Sequence, residues 1–363
     1  MNKCIFVDDS CELSIRNIPE TYHPKDGQAL VKVEYSGINP ADLNHPKDLG
    51  MKNNVCGYEI CGTVIEAGKT SRYAVGDVVF GSNHPGRSKP GYHGGHQDYV
   101  ILESNLMSAR LPPQLPRPHA AALSIMVRSA ADALMNHFEI PFLAINVLGP
   151  PPTGALLIWG GASSVGSAAI QLAKAMGVKW IFTTASPANH EALLQLGATK
   201  CFNYRDPDVV GAVRAACEEK GATIKYVLDT VCKTGSPGTI EQCELIATAP
   251  DVTFISTLPQ FSKPPRWRMV FASRETDNPV PFEFPGGNKA NPVWEARLER
   301  AVVWAAKNYG SQFRIPNIKI VEGAEEGIQA IKDVNEGKVS LTKVVIKHPL
   351  SIVLDIDIFA PRS

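Results

Sequence analysis

The stretch ALLIWGGASSVGSAAIQLAKAMG, Ala155 to Gly177, decides how this chain folds. Leu156–Trp159 reads as a buried strand, and after a turn of small residues Val165, Ala168, Ala169 and Leu172 recur at helical spacing. Gly160, Gly161, Ser163, Ser164 and Gly166 leave the backbone of that turn uncovered. A pyrophosphate can then approach N–H groups at a helix N-terminus, where the helix dipole and unpaired donors favour an anion. Glycine permits both the tight turn and the close packing of helix on strand. The spacing from Gly161 through Ala162, Ser163, Ser164 and Val165 to Gly166 departs from a strict GxGxxG, so the turn alone is equally a plain strand-to-helix connection.

Its surroundings decide between the two. Downstream, 180–186 is a strand, 188–198 a helix, 200–204 a short strand and 207–221 a helix, and 226–231, 239–249 and 252–257 continue as strand, helix and strand. Alternation at this pitch implies right-handed βαβ crossovers and a doubly wound parallel sheet buried on both faces. Residues 261–292 interrupt it with six prolines and mixed aromatics, an irregular excursion that leaves room for a strand at Trp267–Phe271. A helix at 293–310, a β pattern in NIKIVEG, a helix at 324–337 and a strand at 343–348 close the chain. Upstream, strand patterns at 28–39, 61–68, 76–82 and 98–104 stand between glycine turns with few helical patterns, which predicts a compact, partly open β-barrel. The proline-rich LPPQLPRP at 111–118 marks a boundary, and 119–138 resumes with helical spacing. The expected division is 1–118, 119–315 and 316–363, the last segment returning to the first.

A length of 363 residues accommodates two domains. Lysine plus arginine and aspartate plus glutamate balance at 36 each, which offers no electrostatic case for nucleic acid or an anionic membrane. No apolar run approaches the ~20 residues of a membrane span, and MNKCIFVDDS turns acidic too early for a secretory signal. The eight cysteines form no CxxC pair, which favours free thiols in a reducing, cytoplasmic compartment over disulfides.

Several blocks, taken in order, resemble the medium-chain dehydrogenase/reductase superfamily. They are Gly37-Ile38-Asn39-Pro40-Ala41-Asp42, Gly57-Tyr58-Glu59-Ile60-Cys61-Gly62-Thr63-Val64 followed by Gly68, Gly76-Asp77-Val78-Val79, and the strand–turn–helix at 155–177. The resemblance implies an α/β chain with a GroES-like partly open β-barrel and an inserted Rossmann domain. Ser186-Pro187-Ala188-Asn189 and Phe202-Asn203-Tyr204-Arg205 are further similar to the S-P-x-N and F-D-Y-R patterns of fungal trans-acting enoyl reductases of lovastatin-type polyketide pathways, with Asn203 in place of the aspartate.

This likeness implies an NADPH-dependent, zinc-independent reductase acting on an alkene carried by a polyketide synthase or mixed polyketide–peptide synthase, as monomer or homodimer. Tyr58 occupies the position of a zinc-binding histidine in the alcohol-dehydrogenase members, and His93 with His96 only imitates a ligand pair. The second strand of the parallel sheet ends in Thr184-Ala185-Ser186 with no carboxylate to repel a 2′-phosphate, and Ser186, Asn189, Tyr204, and Arg205 or Lys179 can donate to one. Ser186 before Pro187 is equally an ordinary helix cap. By resemblance, Ala162, Ser163, Ser164 and Val165 and then Ser186, Pro187, Ala188, Asn189 and Tyr204 hold the cofactor's phosphates and ribose. Ala41, Asp42, Leu43, Asn44, Ser129, Thr257, Lys343 and Val344 surround its nicotinamide, while His137, Phe138, Glu139, Ile140, Pro141 and Phe142 line an acyl pocket. For Ser129 and Thr257 plain packing is an equal reading. Related reductases carry a lysine where this chain has Asn44, which is no acid at neutral pH, so Tyr58, His45 or a water is left to supply the proton, unless His45 is an inert loop residue. The substitution keeps two alternatives open: a quinone or enone reductase of free small molecules, and a non-redox isomerase, cyclase or binding protein that retains NADPH.

Overall fold

The computed structural model describes residues 2–83, 90–103, 105, 107–235, 237–260, 266–278 and 288–351. In chain order the N-terminal unit carries β1 (Asn2–Val7), β2 (Leu13–Ile18), β3 (Gln28–Gly37), α1 (Ala41–Leu49), β4 (Asn54–Val55), β5 (Glu59–Ala67), β6 (Val78–Ser82), β7 (Tyr99–Glu103) and β8 (Ser108–Arg110). Next come α2 (Arg117–Ala120) and α3 (Ser124–Ala131), followed by a π-helical turn over Asp132–His137. The second unit runs β9 (Ala155–Trp159), α4 (Ser164–Ala175), β10 (Trp180–Ala185), α5 (His190–Leu196), β11 (Lys200–Asn203), α6 (Val209–Glu219), β12 (Ile224–Asp229), α7 (Thr239–Ile246), β13 (Thr253–Ser256) and β14 (Trp267–Met269). The chain closes with α8 (Pro292–Lys307), β15 (Ile318–Glu322), α9 (Gly323–Asn335) and β16 (Lys343–Lys347).

The second unit is a parallel sheet in the order β11-β10-β9-β12-β13-β14. Its central strand β9 is buried at every position. Alternate residues serve opposite faces: Leu156 and Ile158 join the core shared with α3, α4 and α8, whereas Ala155, Leu157 and Trp159 join the core under α6 and α7. The order reverses between β9 and β12, and a crevice opens at the carboxyl ends of strands at such a switch point. The bend after β9 depends on glycine. Gly160 has φ +90°, and a Cβ on Gly166 would lie 2.3 Å from the Gly160 carbonyl oxygen.

The N-terminal unit combines a small sheet, β2-β1-β4, with a larger one ordered β15-β16-β3-β5-β6-β8, in which β7 also pairs with β3. The chain's last described strand, β16, lies antiparallel to β3, so the C-terminal segment completes a sheet begun some 300 residues earlier. The hairpin β1–β2 and the short helix α1 escape the sequence reading. α1 contains Pro46 and ends at Gly50 with φ +69°, so it has too few turns to show a period.

The helix expected over 119–138 is broken. α2 and α3 are separate, and the chain then widens into the π turn, where the Phe138 N–H reaches the Ala133 carbonyl at 2.9 Å. The wider turn returns His137, five residues on, over Asp132, with Nε2 3.4 Å from Oδ2. Asp132 also takes Arg274 at 2.6 Å and the Phe271 N–H at 2.9 Å, and Glu295 takes the Arg274 N–H at 2.6 Å and pairs with Arg128. These buried charges fasten the described part of the proline-rich excursion, including β14, to α3 and α8. The parts of that excursion at 261–265 and 279–287 lie outside the described residues.

Burial pushes the Asp132 pKa up, but the His137 hydrogen bond and the Arg274 charge outweigh it and hold the carboxyl well below the usual range. Arg274→Met, which strands Asp132 in the core, is expected to lower the unfolding free energy by about 3–5 kcal/mol. Because the folded pKa lies below the unfolded value of about 3.9, Asp132's contribution is complete above that pH and drains as pH falls toward the folded value. The variant should lose part of this acid dependence, since the His137 hydrogen bond remains, and denaturant melts at pH 7 and pH 3 measure both effects.

Candidate functional site

The turn after β9 and the C-terminal segment before β16 meet across a crevice lined by Met126, Ser164, Ser167, Ile315, Leu341 and Lys343. Ser163 caps α4, its hydroxyl accepting the Gly166 N–H at 2.9 Å and donating to Thr230 Oγ1 at 2.8 Å. Among the described residues no hydrogen bond uses the N–H groups of Ser164 or Val165, so the helix start is free to donate to an anion. Gly161 faces Thr183, whose Oγ1 would lie 2.2 Å from an added Cβ. The pyrophosphate of a nicotinamide dinucleotide fits the unspent N–H groups at the start of α4, which the glycines let pack close behind β9.

One short segment runs past the residues expected to hold that cofactor. Ser340 Oγ accepts from Asn189 Nδ2 at 3.0 Å, the Leu341 N–H donates to the Ala162 carbonyl at 2.9 Å, and Lys343 Nζ donates to Asn39 Oδ1 at 2.8 Å. Lys343 also donates to the Ile38 carbonyl at 3.1 Å and lies 3.4 Å from Glu59 Oε2. Glu59 in turn accepts from Asn39 Nδ2 at 2.8 Å and from the Ile125 N–H at 2.7 Å. The buried lysine therefore joins β16, β5, the Asn39 turn and α3.

Beyond β10, Ser186 precedes the single turn Pro187–Asn189 but does not cap it. Its hydroxyl instead accepts from Arg205 at 3.3 Å, and the Arg205 guanidinium lies 4.7 Å from the centre of the exposed Tyr204 ring. Ala188 is exposed beside them, and Lys179 lies over Trp180. Ser186, Arg205, Tyr204 and Asn189 thus form a polar group that can take a phosphate.

The other candidates divide. Leu43 and Val344 pack in one apolar cluster with Ile38, while Ala41 is half-buried at the start of α1. Asn44 accepts from Asn335 at 2.6 Å, and Ser129 is buried in α3. Thr257 follows β13, its hydroxyl 3.6 Å from Cys232 Sγ. The stretch expected to line an acyl pocket is committed to the core instead. His137 contacts Arg274 and Trp294, Phe138 packs on Tyr226 and Phe142 on Trp304, Ile140 and Pro141 are buried, and only Glu139 is exposed. The π turn and the Asp132 network draw this stretch inward, which its apolar composition alone did not disclose.

His45 Nδ1 lies 2.9 Å from the Tyr58 hydroxyl, the rings edge to face, so His45 is a partner of Tyr58 rather than an isolated loop residue. Burial pushes the Tyr58 hydroxyl well above its ordinary value. His93 and His96 part company: His93 pairs with Glu103 at 3.1 Å, while His96 is buried against Asp42 and Ser36. Among the described residues, Asp42, Cys56 and His96 place a carboxylate oxygen, a thiol and an imidazole nitrogen within 4.8 Å. Those atoms are already engaged, His96 Nε2 with Asp42 Oδ2 at 3.2 Å and Cys56 Sγ with the Asp42 carbonyl at 3.5 Å. Ser36, Asp98, Arg205 and His348 escape the motif reading or stand at its margin. Their only signal is a polar residue set in or beside an otherwise apolar strand.

Residues 25–113 match the family model described as alcohol dehydrogenase GroES-like domain, and residues 164–251 the one described as zinc-binding dehydrogenase. The chain is 31% identical over 334 residues to the trans-enoyl reductase himH of Aspergillus japonicus, covering 88% of this chain and 89% of that protein. It is 27% identical over 368 residues to the trans-enoyl reductase mpsG of Macrophomina phaseolina, covering 94% and 96%. Among solved structures, the CurK enoyl reductase superposes with a TM-score of 0.72 at 20% identity over 96% of this chain and 99% of that one, which shows the shared fold. A Tyr58→Phe variant should show that Tyr58 stays a phenol: the alkaline ultraviolet difference spectrum against wild type is expected to stay flat through about pH 10, where an ordinary tyrosine is half ionised. A transition below pH 10 would contradict its burial. The barrel, the switch-point crevice and these relatives together place the chain in the medium-chain dehydrogenase/reductase superfamily of oxidoreductases, to which it belongs.

Proposed function

We propose that this chain is an NADPH-dependent, zinc-independent enoyl reductase that acts in trans on a carrier-bound polyketide intermediate in a reducing compartment. The observation that carries the reading is the 340–343 segment. It bonds in turn to Asn189, to the open turn after β9 and to Asn39, which supports reading the three as parts of one site. The names of the fungal relatives support the substrate class. All eight cysteines are free thiols, and among the described residues no helix is long and apolar enough to cross a membrane.

A bound nicotinamide supplies a hydride to the β-carbon of an enoyl thioester. The chain's residues do the rest. The start of α4 and the turn receive the pyrophosphate, while Ser186, Arg205, Tyr204 and Asn189 recognise the 2′-phosphate. Lys343 has its ammonium hydrogens engaged by Ile38, Asn39 and Glu59, so it holds β16 against the Asn39 turn and β5 rather than acting as an acid. Asn44 is likewise engaged, with Asn335. Tyr58, paired with His45, remains a neutral hydroxyl near the Asn39–Asp42 block.

Loss of NADPH absorbance with crotonyl and longer enoyl thioesters tests the reaction. Turnover supports it, whereas tight NADPH binding with no oxidation by any enoyl, enone or quinone overturns it. Ser186→Asp places a carboxylate where the 2′-phosphate would lie. It is expected to weaken NADPH binding at least ~10-fold, about 1.4 kcal/mol, while leaving NADH affinity in place. Calorimetric titration with both nucleotides gives the answer.

A further inference from the structure

The turn after β9 is gripped by a threonine from each neighbouring strand. Thr184, in β10, accepts the Gly160 N–H on its Oγ1 at 3.1 Å. Thr230, the residue after β12, has its Oγ1 2.8 Å from the Trp159 carbonyl oxygen and 2.9 Å from the Gly160 carbonyl oxygen. Ser163 Oγ lies 2.8 Å from the same Thr230 oxygen, and the Gly166 nitrogen lies 2.9 Å from Ser163 Oγ. The parallel pairing of β9 with both β10 and β12 brings the two threonines to the bend. A Cβ on Gly160 would lie 2.7 Å from Thr230 Oγ1, so the clasp requires glycine there.

The directions of these bonds are forced. A carbonyl oxygen only accepts, so the single hydrogen of Thr230 points at Trp159 and Gly160. Thr230 Oγ1 therefore receives the hydrogen of Ser163, whose own oxygen accepts from Gly166. The relay runs from the Gly166 N–H through Ser163 and Thr230 to the strand carbonyls, and both hydroxyl hydrogens in it are spent. Ser164, Val165 and Gly166 open α4, and a capping hydroxyl reaches either the second or the third N–H of a helix. Thr230 fixes that choice on the third, Gly166. The N–H groups of Ser164 and Val165 are thereby kept clear of Ser163, where the cofactor reading puts a diphosphate. Both carbonyls have a backbone partner besides the threonine hydroxyl: Trp159 accepts the Thr230 N–H and Gly160 the Ser163 N–H, each at 3.0 Å. The strand exit therefore does not depend on that hydroxyl for its own hydrogen bonding.

We propose that Thr230 is a positioning residue for cofactor binding, holding the Ser163 hydroxyl on Gly166 so that the Ser164 and Val165 N–H groups stand preorganised for the diphosphate. Ser163 acts as an internal cap and gives no hydrogen to the ligand. This role rests on the dinucleotide reading of the turn. It is separate from the choice between NADPH and NADH, since both carry the diphosphate and the 2′-phosphate is assigned to the group around Ser186.

Calorimetric titration of the full chain with NADPH, NADH and adenosine 2′-monophosphate tests the role. Thr230→Val removes the hydroxyl at nearly constant volume, and Thr230→Ala takes its place if that variant does not fold. The expected result is weaker binding of NADPH and NADH alike, each by at least ~5-fold, the worth of about one net hydrogen bond. Adenosine 2′-monophosphate has no diphosphate, so its affinity should not change, and Thr230→Ser should restore both dinucleotides. Ser163→Ala, alone and combined with Thr230→Val, closes a double-mutant cycle on NADPH affinity. Because the threonine acts through the serine, the double variant should bind no more weakly than the worse single one. Dinucleotide affinities equal to or tighter than wild type in the folded threonine variant overturn the role while the nucleotide reading stands. So do losses that add in the double variant, a loss confined to one dinucleotide, or a loss shared by adenosine 2′-monophosphate. A wild type that binds neither dinucleotide overturns that reading and the role together.

Discussion

The buried ammonium of Lys343 fastens the last described strand of this chain, β16, into the barrel. It sits among the Asn39 side chain, the Ile38 carbonyl and Glu59, and Glu59 spends its other oxygen on the first turn of α3. Taking a lysine and a glutamate out of water costs several kcal/mol per ion, and the arrangement persists only because each hydrogen finds an oxygen. The requirement is positional. β16 must lie beside β3, the Asn39 turn must close against β5, and α3 must start where Glu59 can receive its Ile125 N–H. A single ion pair thereby couples the last described strand to the barrel and, through Glu59, to the first turn of α3.

On the other side of the crevice, the constraint comes from the backbone. β9 is buried on both faces, so its exit must turn at once, and the glycines after Trp159 allow a bend that a side chain would block. The cap by Ser163 leaves two N–H groups of α4 unspent, and the Ser340–Leu341 segment closes over the turn. The 340–343 segment bonds both to Asn189, beside Ser186, and to the turn that precedes α4. Charge recognition at the far end is local by contrast: Ser186 and Arg205 follow adjacent parallel strands, and that adjacency brings them within hydrogen-bond reach.

Buried charge elsewhere does a different job. The Arg274, Asp132, His137, Glu295 and Arg128 cluster fastens the described part of the proline-rich excursion, which includes β14, to α3 and α8. It also explains why the stretch after α3 faces inward. A π turn and two arginines draw His137, Phe138, Ile140 and Phe142 into the core, where hydrophobicity alone leaves the choice between a core and a pocket wall open.

What the residues determined by themselves was local and periodic. Alternating β9-to-β13 patterns, the small-residue bend and proline boundaries specify a parallel sheet with a phosphate-accepting turn, because strand pairing, crossover handedness and glycine sterics act over a few residues. The blocks at 37–42 and 57–64 likewise carried the family. The break between α2 and α3, the hairpin β1–β2 and the helix around Pro46 were not legible, since each is too short or too irregular to impose a period. Only the tertiary structure decided that His93 and His96 have separate partners, that Ser186 meets Arg205 rather than capping a helix, and that Ser36 and His348, 312 positions apart, share a hydrogen bond. Those outcomes depend on which strands lie side by side, and a buried polar group takes whichever partner that packing brings within about 3 Å.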